Sequence, residues 1–189
     1  MKKHLIIGLA WLVSCGNPTP PKQSSDAPLQ SKPTLPQTAK VQKPKADTMT
    51  VDTSAIAQLP PNGLFPFEGA KEATLNSQEL QQIEAILFLA VRTYNARRAK
   101  QFAKHKQKYP NDTLDKQQFL IDLAQYKRQY VAVINQQGQK EVWVNCFCSV
   151  NFDWKQEIVK VLDGGKCFFH LNINLTQEKY YDFAINGPV

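Results

Sequence analysis

KEVWVNCFC, residues 140–148, is the stretch on which the architecture turns. Val142 and Val144 alternate with Trp143, Asn145 and Phe147, and a period of two marks a strand with two unlike faces. Cys146 and Cys148 continue the valine face. The same period recurs in QYVAVIN (129–135), EIVKVL (157–162), CFFHLNIN (167–174) and YYDFAIN (180–186). Residues 136–138, the Asp163-Gly164-Gly165 turn and residues 176–179 are short connections that make neighbouring runs antiparallel, whereas SVNFDWK (149–155) is longer. Five strands in a simple antiparallel meander are expected.

Upstream the period lengthens to that of a helix. Leu80, Ile83, Leu87, Ala90, Val91 and Tyr94 recur at helical spacing, and Asn76 with Glu79 three residues on forms a capping-box variant ahead of them. The continuation RRAKQFAKHKQKYP (97–110) is basic and ends at Pro110; it reads as a solvated helix end in preference to a site for an anionic polymer. A shorter helix is expected from Thr113 or Asp115 to about Tyr126. The fold class is therefore α+β: a helix layer packed on a mostly antiparallel meander of about five strands, forming a single domain over residues 64–189.

The chain opens MKKHLIIGLAWLVSC, with Lys2 and Lys3 before an apolar run over 5–13, then Ser14 and Cys15. That is the layout of a secretory signal, too short to span a bilayer as a mature helix. Leu12-Val13-Ser14-Cys15 resembles the lipobox of bacterial lipoproteins. The resemblance implies a signal peptide over 1–14, cleavage before Cys15, and a diacylglycerol on its thiol. Gly16-Asn17-Pro18 carries neither an Asp directly after the cysteine nor an acidic cluster. In a cell with two membranes this implies an outer-membrane anchor with the domain facing the periplasm.

Residues 15–63 are rich in Pro, Gln, Ser, Thr and Lys and read as a disordered tether, since they offer too little apolar surface to offset ordering entropy. The formal net charge of +7 is unevenly spread: residues 1–63 hold 7 Lys against 3 Asp, and the remainder 16 Lys and Arg against 13 Asp and Glu. The domain itself is only mildly basic. In element order it resembles the cystatin-like and NTF2-like α+β rolls. The run from VNCFC through DGGKCFF to the closing NG is similar to small bacterial lipoproteins without an assigned activity.

Cys146, Cys148 and Cys167 all fall on the expected core face, with Phe169, Leu171 and Ile173 beside the last of them and Tyr181, Phe183 and Ile185 on the final strand. Residues i and i+2 of an extended strand hold their side chains too far apart for an unstrained disulfide. In a meander the EIVKVL strand separates Cys167 from the other two by roughly 9.5 Å laterally, with a strand of roughly 20 Å between them along the chain. Three buried thiols acting as small hydrophobes are the expected state. The alternative is a bridge from Cys167 to Cys146 or Cys148, favoured by an oxidising compartment and requiring a different strand order. Zinc would need four converging ligands, and His170 faces away from Cys167.

The opposite sheet face carries Trp143, Asn145 and Phe147, then Phe168, His170, Asn172 and Asn174, then Tyr180, Asp182 and Asn186. Rings supply contact area and amides supply orientation, so Trp143, Asn145, Phe147, His170, Asn172 and Asn174 are candidate ligand-binding residues for a glycan or peptide. Alternatively the face is covered by LFPFEG (64–69) or by the second helix. No Gly-x-Ser-x-Gly, His-Glu-x-x-His or phosphate loop occurs. The expected function is a lipid-anchored, non-enzymatic envelope module. Its partners would be the membrane, through the lipid, and an envelope protein, peptide or glycan. No nucleic acid, cofactor or metal is implied, and the domain is expected to be monomeric. The competing reading is a hydrolase or thiol-exchange enzyme using His170 with Asp182, or Cys146 and Cys148.

Overall fold

Asn76 starts the helix layer. Its side chain accepts the Glu79 N–H at 2.9 Å while the Glu79 carboxylate accepts the Asn76 N–H at 3.0 Å, which satisfies two donors that a helix start leaves open. In this computed structural model, which describes residues 51–61, 67 and 69–187, helix α1 runs Ser77–Lys108. The expected signal sequence, Cys15 and most of the expected tether lie outside the described residues. The 32 residues of α1 span about 48 Å, while strands of 8 to 10 residues span about 26 to 34 Å. Its buried residues, Ile83 to Val91, all sit in the first half, so the basic second half runs past the core.

The strands are β1 (Ile56–Gln58), β2 (Lys71–Glu72), β3 (Lys127–Ile134), β4 (Lys140–Phe147), β5 (Gly165–Asn174) and β6 (Lys179–Asn186). The sheet order is β1-β3-β4-β5-β6, with β2 also on the outer side of β3. β1 pairs parallel to β3 and every other pairing is antiparallel. An α+β fold with a mostly antiparallel sheet is thus what the chain forms. The β3–β4 hairpin turns on Asn135, whose side chain accepts the Gln137 and Gln139 N–H groups, and on Gly138 at φ 74°.

Four expectations about the elements and their connections need correction. First, EIVKVL is no strand, and β4 pairs directly with β5. The connection from β4 to β5 leaves the sheet plane and crosses its second face as a strap, burying Trp154 and Val159. Gly164, at φ 91°, turns it into β5 where a Cβ would sit 2.5 Å from the Phe168 ring. Second, Cys148 and Cys167, opposite one another once β4 and β5 are neighbours, form a disulfide with Cα atoms 5.1 Å apart. Only Cys146 remains a free thiol among the described residues. Third, the expected second helix is two 3-10 turns, Lys116–Phe119 and Leu123–Gln125, because Asp115 and Asp122 each accept the N–H two residues on and tighten the chain. Fourth, β1 falls inside the stretch assigned to the tether. Ile56 and Ala57 are buried in the sheet, so the domain extends N-terminal of residue 64 to at least Val51.

The main core lies between α1 and the first sheet face. Ile83, Ile86, Leu87, Ala90 and Val91 meet Tyr130, Val142, Val144, Cys146, Phe169, Leu171 and Ile173. On β6 the pattern slips. A bulge at Asp182, φ 52°, puts Tyr180, Phe183 and Ile185 against this core and Tyr181 opposite Asn172 on the other face. Strict alternation along the sequence predicts the reverse for Tyr180 and Tyr181. A charged group also enters the core. Glu84, from α1, accepts the Tyr130 hydroxyl and lies 3.4 Å from Arg128 Nε, whose guanidinium also donates to the Leu123 and Tyr126 carbonyls.

Candidate functional site

The second sheet face divides into a covered half and an open half. On the covered half, Gln129 is fully buried at the centre of β3. Its Nε2 donates to the Trp154 and Glu157 carbonyls at 2.6 Å each, and its Oε1 accepts the Val159 N–H at 2.9 Å. Asn145 on β4 adds bonds to the Val159 carbonyl at 2.9 Å and to Gln129 Oε1 at 3.2 Å. Two side-chain amides therefore do for the strap what a neighbouring strand would have done, satisfying buried backbone that leaves the ladder. Phe147 completes the cover, packed edge-on against Trp154 with centroids 5.7 Å apart.

These contacts remove two of the six candidate residues from the surface. Asn145 and Phe147 bind the chain's own strap and present nothing to a ligand. Asn174 is a structural residue as well: Nδ2 donates to Gln139 at 2.7 Å and Oδ1 accepts the Gln177 N–H at 2.9 Å, which ties together the β3–β4 and β5–β6 turns. The expected cover was LFPFEG or the second helix. Phe67 does pack on Val131 and Val133, but the strap is the larger part.

Trp143 and His170 remain half-buried on the half the strap leaves uncovered, and Asn172, itself only 4% exposed, lies buried beside them. The Trp143 and His170 rings lie 6.1 Å apart, both half-buried. Asn172 sits opposite Trp143 on one side and Tyr181 on the other. Its Nδ2 reaches Asp182 Oδ2 at 3.5 Å, while its Oδ1 is buried with no hydrogen-bond partner. Burial, followed by the nearby Glu141 carboxylate, pushes the Tyr181 phenol well above its ordinary range. Burial pulls the His170 imidazole below the usual histidine value, disfavouring its charged form against an opposing pull from Asp182. The result is a pair of half-buried rings beside a buried amide and one exposed carboxylate, a mixture suited to orienting a polar ligand.

The residues of the enzymatic alternative are not assembled. Among the described residues no hydrogen bond or ion pair joins His170 to an acid. Cys146 is fully buried, and burial raises its thiol far from any thiolate at neutral pH. Cys148 is committed to the disulfide. The sequence reading missed the Glu84–Arg128–Tyr130 cluster, although Glu84 next to Ile83 on the apolar stripe of α1 was its signal. It also missed Gln129 as the strap's anchor. No protein-family model, curated protein or solved structure matches the chain.

Proposed function

We propose that this chain is a cell-envelope lipoprotein, anchored by lipid on Cys15, whose folded domain is a non-enzymatic binding module for a glycan or an extended peptide. The observation that carries the binding reading is the open half of the second face, where Asn172 keeps a buried, unpartnered carbonyl oxygen beside the half-buried Trp143 and His170 rings. An unsatisfied buried acceptor costs stability that a ligand donor would return once a neighbouring side chain moves aside to uncover it. The disulfide supports an extracytoplasmic compartment, since such bridges persist where the surroundings oxidise. Localisation at the outer membrane rests on the lipobox and on the residues after Cys15.

Titration of the full-length chain with a panel of envelope glycan fragments and extended peptides, followed by tryptophan fluorescence and histidine NMR, tests the site. Binding that shifts Trp143 and His170 together, and is lost in Trp143→Ala, is expected. If every ligand bound leaves both rings unmoved, the open face is not the site.

A further inference from the structure

The core-facing line of α1 does not stop at the core. Leu87, Val91 and Tyr94 pack against the sheet residues, and Arg98, Gln101, Phe102 and His105 continue the same line at spacings of three and four residues. This continuation meets Leu114 and Phe119 from the segment that follows the helix, and the six residues line a cavity of about 300 Å³. Asp112 fixes that segment to α1. One carboxylate oxygen lies 2.6 Å from His105 Nε2, the other accepts the Leu114 N–H at 2.9 Å, and the Asp112 carbonyl accepts from Lys106.

Phe102 and Phe119, half-buried with ring centroids 6.1 Å apart, and the exposed Leu114 leave apolar surface around the cavity. The Arg98 guanidinium lies over the Phe119 ring, 5.2 Å from its centroid. Stacking occupies the flat face of the cation and leaves its edge, which carries the N–H donors, for hydrogen bonds. One donor, Nη1, reaches Gln101 Oε1 at 3.0 Å. Among the described residues no carboxylate pairs with Arg98, and its Nε is buried without a partner. His105 is the other ionisable residue of the lining, and Asp112 beside it cancels any charge it takes up. The cavity thus offers one unpaired positive charge next to two rings. A monoanion matches that charge, whereas a phosphate, at roughly −1.5 to −2 near pH 7, brings more than one guanidinium neutralises.

We propose that this cavity binds a single carboxylate carried on an apolar body, as a free small acid or as the apolar C-terminal residue of a peptide. The edge of the Arg98 guanidinium takes the carboxylate, and Phe102, Leu114 and Phe119 take the apolar part. The site sits on α1, which packs on the first sheet face, and is therefore separate from the Trp143 and His170 site on the second.

The test titrates the full-length chain with 3-phenylpropionate, its neutral amide, 2-phenylethyl phosphate, and a blocked tripeptide ending in phenylalanine with its C-terminus free or amidated. NMR follows the Phe102 and Phe119 rings and the Arg98 side-chain N–H. Both carboxylates should move these signals together while Trp143 stays still, and each amide should bind about tenfold or more weakly, because it lacks the charge-assisted bond. R98Q should abolish the preference for acid over amide, and R98K should keep the preference with weaker binding, since it retains the charge without the fork. L114S, on the exposed rim, should weaken acid and amide alike and leave the thermal transition unchanged. Tighter binding of the peptide than of phenylpropionate would support a chain terminus as the ligand, and the reverse a free acid. Equal binding of acid and amide by the parent, undiminished acid binding by R98Q, rings that stay unmoved at every concentration, or a phosphate bound more tightly than the carboxylate would each overturn the proposal.

Discussion

Replacing Cys148 and Cys167 together by alanine removes the bridge and leaves no new thiol to pair with Cys146. The bond joins residues separated by 19 positions, and the loop it closes contains the whole strap. Loop-closure entropy for a ring of that size is about 3 kcal/mol at 25 °C. Packing adds little, because Cys148 is exposed and Cys167 only half-buried. For a domain of this length the loss corresponds to roughly 10 °C in Tm. Chemical denaturation gives the free energy, and alkylation gives the thiol count. In a full-length Cys15→Ser background the unreduced chain should take one label in denaturant, at Cys146, and almost none when native. Three labels in denaturant would mean that the bridge is absent. One label with unchanged stability in the double variant would refute the entropic reasoning instead. A cycle with Gln129→Ala then asks whether bridge and amide clasp act on the same strap, in which case their costs should be less than additive.

Gln129→Ala alone should cost about 2 to 4 kcal/mol, since it leaves the Val159 N–H and two carbonyls buried without partners; hydrogen exchange at Val159 should accelerate ahead of the core strands. Cys146→Ala should cost about 1 to 2 kcal/mol and Cys146→Ser more, from equilibrium denaturation, because the serine hydroxyl enters an apolar site. Tyr126, pushed up to about 12, together with Tyr130 and Tyr181, has a higher folded than unfolded pKa. Their stabilisation is complete below pH 10 and drains away above it, so phenolate absorbance should rise together with unfolding; titration of these tyrosines in a still-folded domain would contradict their burial. Cys15→Ala should release the protein from membranes while circular dichroism of the domain stays unchanged, and membrane association that persists in high salt would sink the lipobox reading.

What could be read ahead of the structure was whatever local chemistry decides. The capping box at Asn76 and Glu79, the apolar stripe of α1, both hairpins and the shared face of Val142, Val144, Cys146, Phe169, Leu171 and Ile173 depend on neighbours in sequence or on strict alternation. The strand order did not. EIVKVL has the alternation of a strand, yet its backbone partners are side-chain amides from β3 and β4, a long-range solution that a period-two pattern cannot reveal. The bulge at Asp182 reverses Tyr180 and Tyr181 because one extra residue changes the face of everything beyond it. β1, three residues long, is too short to establish any period.

The candidate site failed and survived for the same physical reason. An amide on a sheet face needs a partner, and the pattern of residues does not say whether that partner belongs to the same chain. Asn145 lies between β3 and β5, where the strap passes overhead, and its amide is consumed by the Val159 carbonyl. Asn172 lies one strand further out, between Trp143 and Tyr181, and the strap's bonds to Gln129 and Asn145 hold the strap over β3 and β4. The Asn172 carbonyl is accordingly left without a donor. If that unpaired acceptor serves a ligand, Asn172→Leu should stabilise the free domain by removing an unpaired polar atom while abolishing binding, the opposite signs that distinguish a functional amide from a structural one. Asn145→Leu should lower stability instead, because it strips the strap of its partner. A destabilised Asn172→Leu with unaltered ligand binding would mean that the oxygen is satisfied within the fold and that the open face has no such role.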